Sequence, residues 1–286
     1  MTTGIVIKNM NGYFYVQSKD GIVHECKVRG RLKKTRYSLL VGDYVDISED
    51  AFIERIHHRV NSLIRPAIAN INQVILVVAA HDPDINTLLL NKLLVMIEDA
   101  DIYVRICINK YDLADASTSA LVNEYRQLGY SVLTTSTRTH EGIDELRDCL
   151  QGKVSAFAGP SGVGKSSLLN EIEPSFSFQT GQVSEKIKRG RHTTRHASLF
   201  SLNDESFIMD TPGFSAIGFT HISLERLTSL YPEFLQYESQ CKFSPCYHDH
   251  EPICGIKDAL QNGYISEQRY ASYLAIREEI IKQRQR

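Results

Sequence analysis

Lys165 and Ser166 close the run Gly159-Pro160-Ser161-Gly162-Val163-Gly164-Lys165-Ser166, in which two glycines, a lysine and a hydroxyl fall at the spacing G-x-x-x-x-G-K-S. That combination suits phosphate. Backbone N–H groups of a glycine-rich turn and of the helix behind it point at the anion, the ammonium neutralises charge on the β- and γ-phosphates, and the hydroxyl can ligate Mg²⁺. The apolar VSAFA before the run and SLLNEI after it provide a strand, loop and helix, so residues Gly159 through Ser167 are expected to cradle a nucleoside triphosphate. The loop alone does not choose the base.

The chain Asn109-Lys110-Tyr111-Asp112 supplies that choice. A carboxylate at Asp112 can accept from N1–H and the 2-amino group of guanine, donors that adenine lacks, and such a site rejects the wrong base by roughly 10⁴. Asn109 can brace the loop, and the Lys110 stem can cover the purine. Thr135-Ser136-Thr137 at the next strand end is either a polar loop or a second guanine contact through its backbone, with Ser136 at its centre.

Asp210 ends the run SFIMD, where a carboxylate can hold Mg²⁺ through water, and Gly213 can offer its N–H to the γ-phosphate. In KIKRGRHTTRH either Thr194 or Thr193 can complete the Mg²⁺ shell; Thr194, which directly precedes Arg195, is the first choice. Arg189, Arg191 and Arg195 suit phosphate, RNA or plain solvation equally. Phe214 follows Gly213 where many GTPases carry the glutamine that orients water. A phenyl ring cannot do so, which predicts slow intrinsic hydrolysis and makes His221 a candidate to orient or deprotonate water.

The order of these motifs is inverted. In an ordinary GTPase the phosphate loop precedes the base reader; here NKYD comes first and DTPG last. A circular permutation accounts for this and joins the switch after Asp210 directly to the C-terminal segment. That segment contains Cys241-x4-Cys246-x-His248-x5-Cys254, three thiolates and an imidazole that form a closed tetrahedral Zn²⁺ set with no open position for catalysis. His250 is an alternative to His248.

The elements that must position these groups fall into three segments. Residues 1–65 are short β-prone runs divided by Asn11-Gly12 and Asp20-Gly21, which predicts a five-stranded barrel, OB-fold or SH3-like, with a basic loop after the third strand. They hold eleven Lys and Arg against seven Asp and Glu, a net +4 in a chain whose net charge is −2. The basic run from Lys27 to Arg36 is either a solvated face or an RNA contact. From 66 to 218 buried strands alternate with helices, the pattern of a doubly wound sheet with ligands at the strands' carboxyl ends. Residues 219–286 read as helical, poor in aliphatics and in need of a metal. No stretch approaches the ~20 apolar residues that span a bilayer, and no secretion signal heads the chain. The scattered Cys26, Cys107 and Cys149 are expected to be reduced and structural.

With its barrel, the order NKYD, GPSGVGKS, RHTTR, DTPG and the zinc signature, the chain resembles over essentially its whole length the family of ribosome small-subunit-dependent GTPase A. The resemblance implies an OB-fold, a circularly permuted GTPase domain and a helical zinc domain, using GTP, Mg²⁺ and one structural Zn²⁺. It further implies cytoplasmic GTP hydrolysis stimulated by the 30S subunit, contacts of the flanking domains with 16S rRNA, assistance in late subunit maturation, and release timed by hydrolysis. Gly162 stands where potassium-activated GTPases carry asparagine, so no potassium ligand is expected there. A monomer is the simplest state for a switch that docks on one ribosomal site.

Overall fold

A computed structural model describes residues 1–33, 38–63, 67–176, 198–210, 219 and 221–284. The N-terminal strands are β1 (Thr2–Met10), β2 (Tyr13–Ser18), β3 (Val23–Val28), β4 (Tyr44–Ile47) and β5 (Phe52–Ile56). Asn11 and Gly12 have φ of 54° and 81°, the left-handed pair that matches the twist of a two-residue hairpin. The strands close in the order β1-β2-β3-β5-β4, all neighbours antiparallel except β3 and β5. This Greek-key closure selects the OB arrangement over the SH3-like one. Val6, Val16, Cys26, Val45, Ile47 and Ile53 fill the barrel. The expected basic loop after β3 instead begins as a helical turn, α1 (Gly30–Lys33).

A small ladder of β6 (Ser62–Leu63) and β7 (Ile68–Ala69) joins barrel to sheet. The buried Asn70 side chain donates to the Gly42 carbonyl at 2.9 Å, and Arg59 grips the buried Asp43 through two 2.6 Å bonds. Both contacts fix the joint.

The central layer runs β8 (Gln73–Ala79), α2 (Thr87–Asp99), β9 (Tyr103–Asn109), α3 (Ala116–Gln127), β10 (Ser131–Thr134), α4 (Ile143–Cys149), β11 (Val154–Ala158), α5 (Lys165–Ile172), β12 (Leu199–Ser201) and β13 (Phe207–Asp210). The sheet order is β10-β9-β8-β11-β13-β12, parallel except for the β12 edge. Every residue of β8 is buried. With a side-chain period of two, Val74, Leu76 and Val78 enter the core under α2 and α3, while Ile75, Val77 and Ala79 enter the one under α4 and α5. The base-reading strand β9 and the phosphate-loop strand β11 therefore flank β8, and their carboxyl ends lie side by side.

The C-terminal layer is α6 (Leu224–Ser229), α7 (Gly255–Gln261) and α8 (Glu267–Arg284). Its core is not thin. Phe219, Ile222, Leu227, Tyr231, Phe234, Ile256, Tyr273, Ile276 and Ile280 are buried together, and Val95 of α2 joins them. Aromatic bulk and a borrowed helix face replace the missing aliphatics. The seam also holds a buried polar network. Arg269 on α8 makes a two-pronged pair with Glu233 at 2.7 and 3.1 Å and donates to Asn91 Oδ1 on α2 at 2.7 Å. Tyr125 on α3 donates to the same oxygen, and Asn91 in turn donates to Ser272.

Candidate functional site

The phosphate loop leaves β11 at Gly159, whose φ is 142° and where a Cβ would lie 2.0 Å from the Val77 carbonyl oxygen of β8. Any side chain there would push the loop off the sheet. Gly164, with φ of 93°, caps α5 without a side-chain hydrogen bond, which leaves the first N–H groups of Lys165, Ser166 and Ser167 available to an anion. Lys165 Nζ donates to the Gly159 and Pro160 carbonyls at 2.9 and 2.7 Å, so the ammonium lies inside the loop. Ser161 and Gly162 are exposed, whereas Val163 anchors the loop in the core. Ser166 sits one residue into α5, positioned to offer its hydroxyl to Mg²⁺.

Base reader and phosphate loop touch. Asn109, 1% exposed, ends β9; its Nδ2 donates to the Val163 carbonyl at 2.9 Å, and its Oδ1 accepts from Thr135 Oγ1 at 3.2 Å. A Cβ on Gly164 would meet that Nδ2 at 2.4 Å, a second reason for glycine. Lys110 adopts a left-handed φ of 55° that turns the chain into the Tyr111–Leu113 helical turn, and its ammonium bonds the Asp82 carbonyl. Asp112 Oδ1 accepts from the buried Ser136 hydroxyl at 2.5 Å and Oδ2 from Arg138 Nε at 2.6 Å. The Ser136 bond first and the Arg138 guanidinium second hold the Asp112 carboxyl below the usual carboxylate range, which favours the ionised acceptor that guanine needs. Ser136 Oγ also accepts from the N–H groups of Arg138 and Thr139, so the 136–139 turn wraps the carboxylate.

Asp210 closes β13 opposite Phe157 of β11, one strand from the loop. Thr193, Thr194, Gly213, Phe214 and the arginines 189, 191 and 195 lie outside the described residues. His221 is not among the groups gathered at the loop, contrary to the catalytic expectation. It pairs through Nε2 with Asp99 Oδ2 at 3.1 Å. Asp99 is the last residue of α2, whose other end follows Pro83, the neighbour of Gly162. Thirteen helical residues, about 20 Å, separate the two ends. Sequence spacing also gave no sign of Arg138, Asp82 or Asn91, because each acts across a fold contact rather than within a motif.

The second site gathers Cys241, Cys246, His248 and Cys254, whose ligand atoms lie within 4.8 Å of one another. His248 Nδ1 is 3.6 Å from Cys241 Sγ and 3.3 Å from Cys254 Sγ, and the two sulfurs are 3.9 Å apart. Zn–N and Zn–S bonds of about 2.0 and 2.3 Å set tetrahedron edges of roughly 3.5–3.8 Å, so the donor set fits one zinc ion. Burial first, then the neighbouring thiols, pushes the Cys246 thiol up to about 12, as expected of a site that needs a cation to hold thiolates. His250 is exposed and pairs with Asp249, which leaves His248 as the ligand. Tyr270 and Tyr273 of α8 donate to the carbonyls of His248 and Tyr247, and Glu251 accepts from the N–H groups of Tyr247 and Asp249. Those bonds shape the loop around the metal.

A family model described as RsgA GTPase matches residues 56–220, and a second, described as RsgA N-terminal domain, matches residues 3–52. The chain belongs to the RsgA GTPase family. It is 43% identical to a protein of Agathobacter rectalis named small ribosomal subunit biogenesis GTPase RsgA, over 99% of both chains. A protein of the same name from Alkaliphilus metalliredigens is 44% identical, again over 99% of each. Among solved structures, YjeQ from Thermotoga maritima superposes with a TM-score of 0.85 at 36% identity, covering 98% of both chains. YloQ, described as a circularly permuted GTPase, gives 0.83 at 35% identity over 99% of this chain and 96% of its own. The RsgA chain studied here is thus a circularly permuted GTPase that uses GTP, GDP and Mg²⁺, with a Cys₃His cluster suited to zinc.

Proposed function

We propose that this RsgA GTPase binds the 30S ribosomal subunit and assists its late maturation, hydrolysing GTP when the subunit stimulates it and leaving as GDP forms. The observation that carries the reading is the contact of Asn109 with Val163, which ties guanine recognition to the phosphate loop in a permuted chain. Asn109, Lys110, Asp112 and Ser136 hold the base; Gly159 through Ser167 hold the phosphates. Ser166, Thr194 or its neighbour Thr193, and Asp210 hold Mg²⁺, with Gly213 on the γ-phosphate. Bound Mg²⁺ supplies charge neutralisation on the phosphates. In the reaction water attacks the γ-phosphorus and the bond to the β–γ bridging oxygen breaks, giving GDP and phosphate. His221 orients or deprotonates that water once a partner has moved it.

The barrel over residues 1–65 supports 16S rRNA as the surface met. Lys27 lies 5.1 Å from the Tyr13 ring, Lys8 5.7 Å from Tyr15, and Arg29 4.8 Å from Phe52. Cations interleaved with aromatic rings on an OB sheet suit phosphates and stacked bases. Residues 66–218 form the GTPase unit and 219–286 the zinc unit. A cytoplasmic monomer fits docking on one site; among the described residues no helix is long and apolar enough to cross a membrane. Co-sedimentation with purified 30S subunits tests the reading. Binding with a non-hydrolysable GTP analogue and loss with GDP is the expected result; nucleotide-independent binding, or none, contradicts it.

A further inference from the structure

Asp99 carries two cations at the end of α2. His221 Nε2 lies 3.1 Å from Oδ2, and Arg226 Nε lies 3.2 Å from Oδ1. The chain on both sides of His221 is pinned. Phe219 and Ile222 are fully buried in the core that Val95 of α2 shares; the Phe219 N–H donates to Gln283 Oε1 at 3.2 Å, and Arg284 Nη2 donates to the Ile222 carbonyl at 3.3 Å. The imidazole itself stays half exposed, at 49%, while Asp99 is 18% exposed. A well-anchored backbone thus presents one reachable, ion-paired histidine at the far end of α2 from the phosphate loop.

We propose that Asp99 is a positioning residue that parks His221 away from the nucleotide and so helps to keep turnover slow until a partner docks. The inference rests on the reading of His221 as the group that acts on the attacking water. An imidazole held by Asp99 is far outside hydrogen-bond reach of a γ-phosphate water, since the length of α2 lies between them. The geometry also makes release cheap. Arg226 occupies the other carboxylate oxygen, so Asp99 keeps a cation when His221 leaves, and a partner that offers the imidazole another anion, such as an RNA phosphate, replaces what it loses. A half-exposed ion pair of this kind is worth at most about fivefold in population, which sets the scale of the effect.

The test is GTP turnover by the full-length protein, with and without 30S subunits, for Asp99→Asn, Arg226→Gln, His221→Ala and the Asp99→Asn/His221→Ala double variant, each checked for an unchanged melting curve and GDP affinity. The expected result is a subunit-free rate raised up to about fivefold in Asp99→Asn, no rise in Arg226→Gln, and no rise in the double variant. An unchanged subunit-free rate in a folded Asp99→Asn protein, while His221→Ala still abolishes stimulation, overturns the parking role alone. Full stimulation in His221→Ala overturns the reading of His221 and this inference with it. Should Asp99→Asn unfold, Asp99→Glu, which keeps the charge but displaces it, replaces it with the same expected rise.

Discussion

Asn109 donates across 2.9 Å to the carbonyl of Val163, so the residue that heads the base-reading turn is also a strut of the phosphate loop. Permutation has cut and rejoined the chain elsewhere while leaving this contact between neighbouring strand ends intact. Guanine and phosphate are bound by one rigid unit, and loss of either half is felt by the other.

Asn109→Ala removes both buried bonds and leaves the Val163 carbonyl and the Thr135 hydroxyl short of a partner. A stability loss of about 1–3 kcal/mol is expected, with GTP and GDP affinity falling together by about tenfold or more. Urea unfolding and titration with a fluorescent GDP analogue measure the two effects.

Asp112→Asn exchanges an acceptor pair for one acceptor and one donor. GTP affinity should fall by roughly 10²–10⁴, and xanthosine triphosphate, whose 2-oxo group accepts where guanine donates, should bind better than GTP. Competition between the two nucleotides reads this directly.

The depressed acidity of Asp112 fixes the sign of a pH effect. A carboxylate whose folded value is lowered keeps its charge, and its contribution, above the ordinary value of 3.8 and loses it only as pH falls through the folded value. GDP affinity should therefore stay flat down to the ordinary carboxylate range. In Ser136→Ala or Arg138→Met the acid loss should begin at higher pH, measured by GDP titration from neutral pH downward.

Removing zinc should unfold the C-terminal layer selectively. Structural zinc contributes about 10 kcal/mol or more to such modules, so chelation or Cys254→Ser should abolish hydrogen-exchange protection in α7 and in the α8 turns that hold His248. Metal analysis should find one zinc per chain before treatment. GDP binding should persist, because the nucleotide groups lie in the other layer.

Arg269→Met strands Glu233 in the seam between layers, where the pair is 1% and 6% exposed. The expected loss is about 3–5 kcal/mol, largely recovered when Glu233 is also replaced by an apolar residue. A double-mutant cycle by urea unfolding measures it.

Much of this architecture is legible in the residues. Asn11-Gly12, the all-apolar QVILVVA and the glycine spacing of the phosphate loop each impose one local geometry, and the fold obeys them. The cysteine spacing named the right four ligands because their chemistry is local, although choosing His248 over His250 required burial. What could not be read was long-range. The parallel pairing of β3 with β5 decides between barrel types, yet it joins strands with no turn signal between them. Arg138, Asn91 and Arg269 are polar residues in ordinary helices or turns until the fold sets them on Asp112, Tyr125 and Glu233. His221 looked catalytic from its distance in sequence to DTPG; only the position of Asp99 shows where it rests.

The central claim is that this GTPase is switched by the small ribosomal subunit. Its most direct test is the rate of GTP hydrolysis by the purified protein with and without 30S subunits, with 50S subunits and ATP as controls. The account predicts a slow rate alone and a rise on the order of 10³ with 30S subunits only; a rate unaltered by 30S subunits, with GTP binding intact, would contradict it.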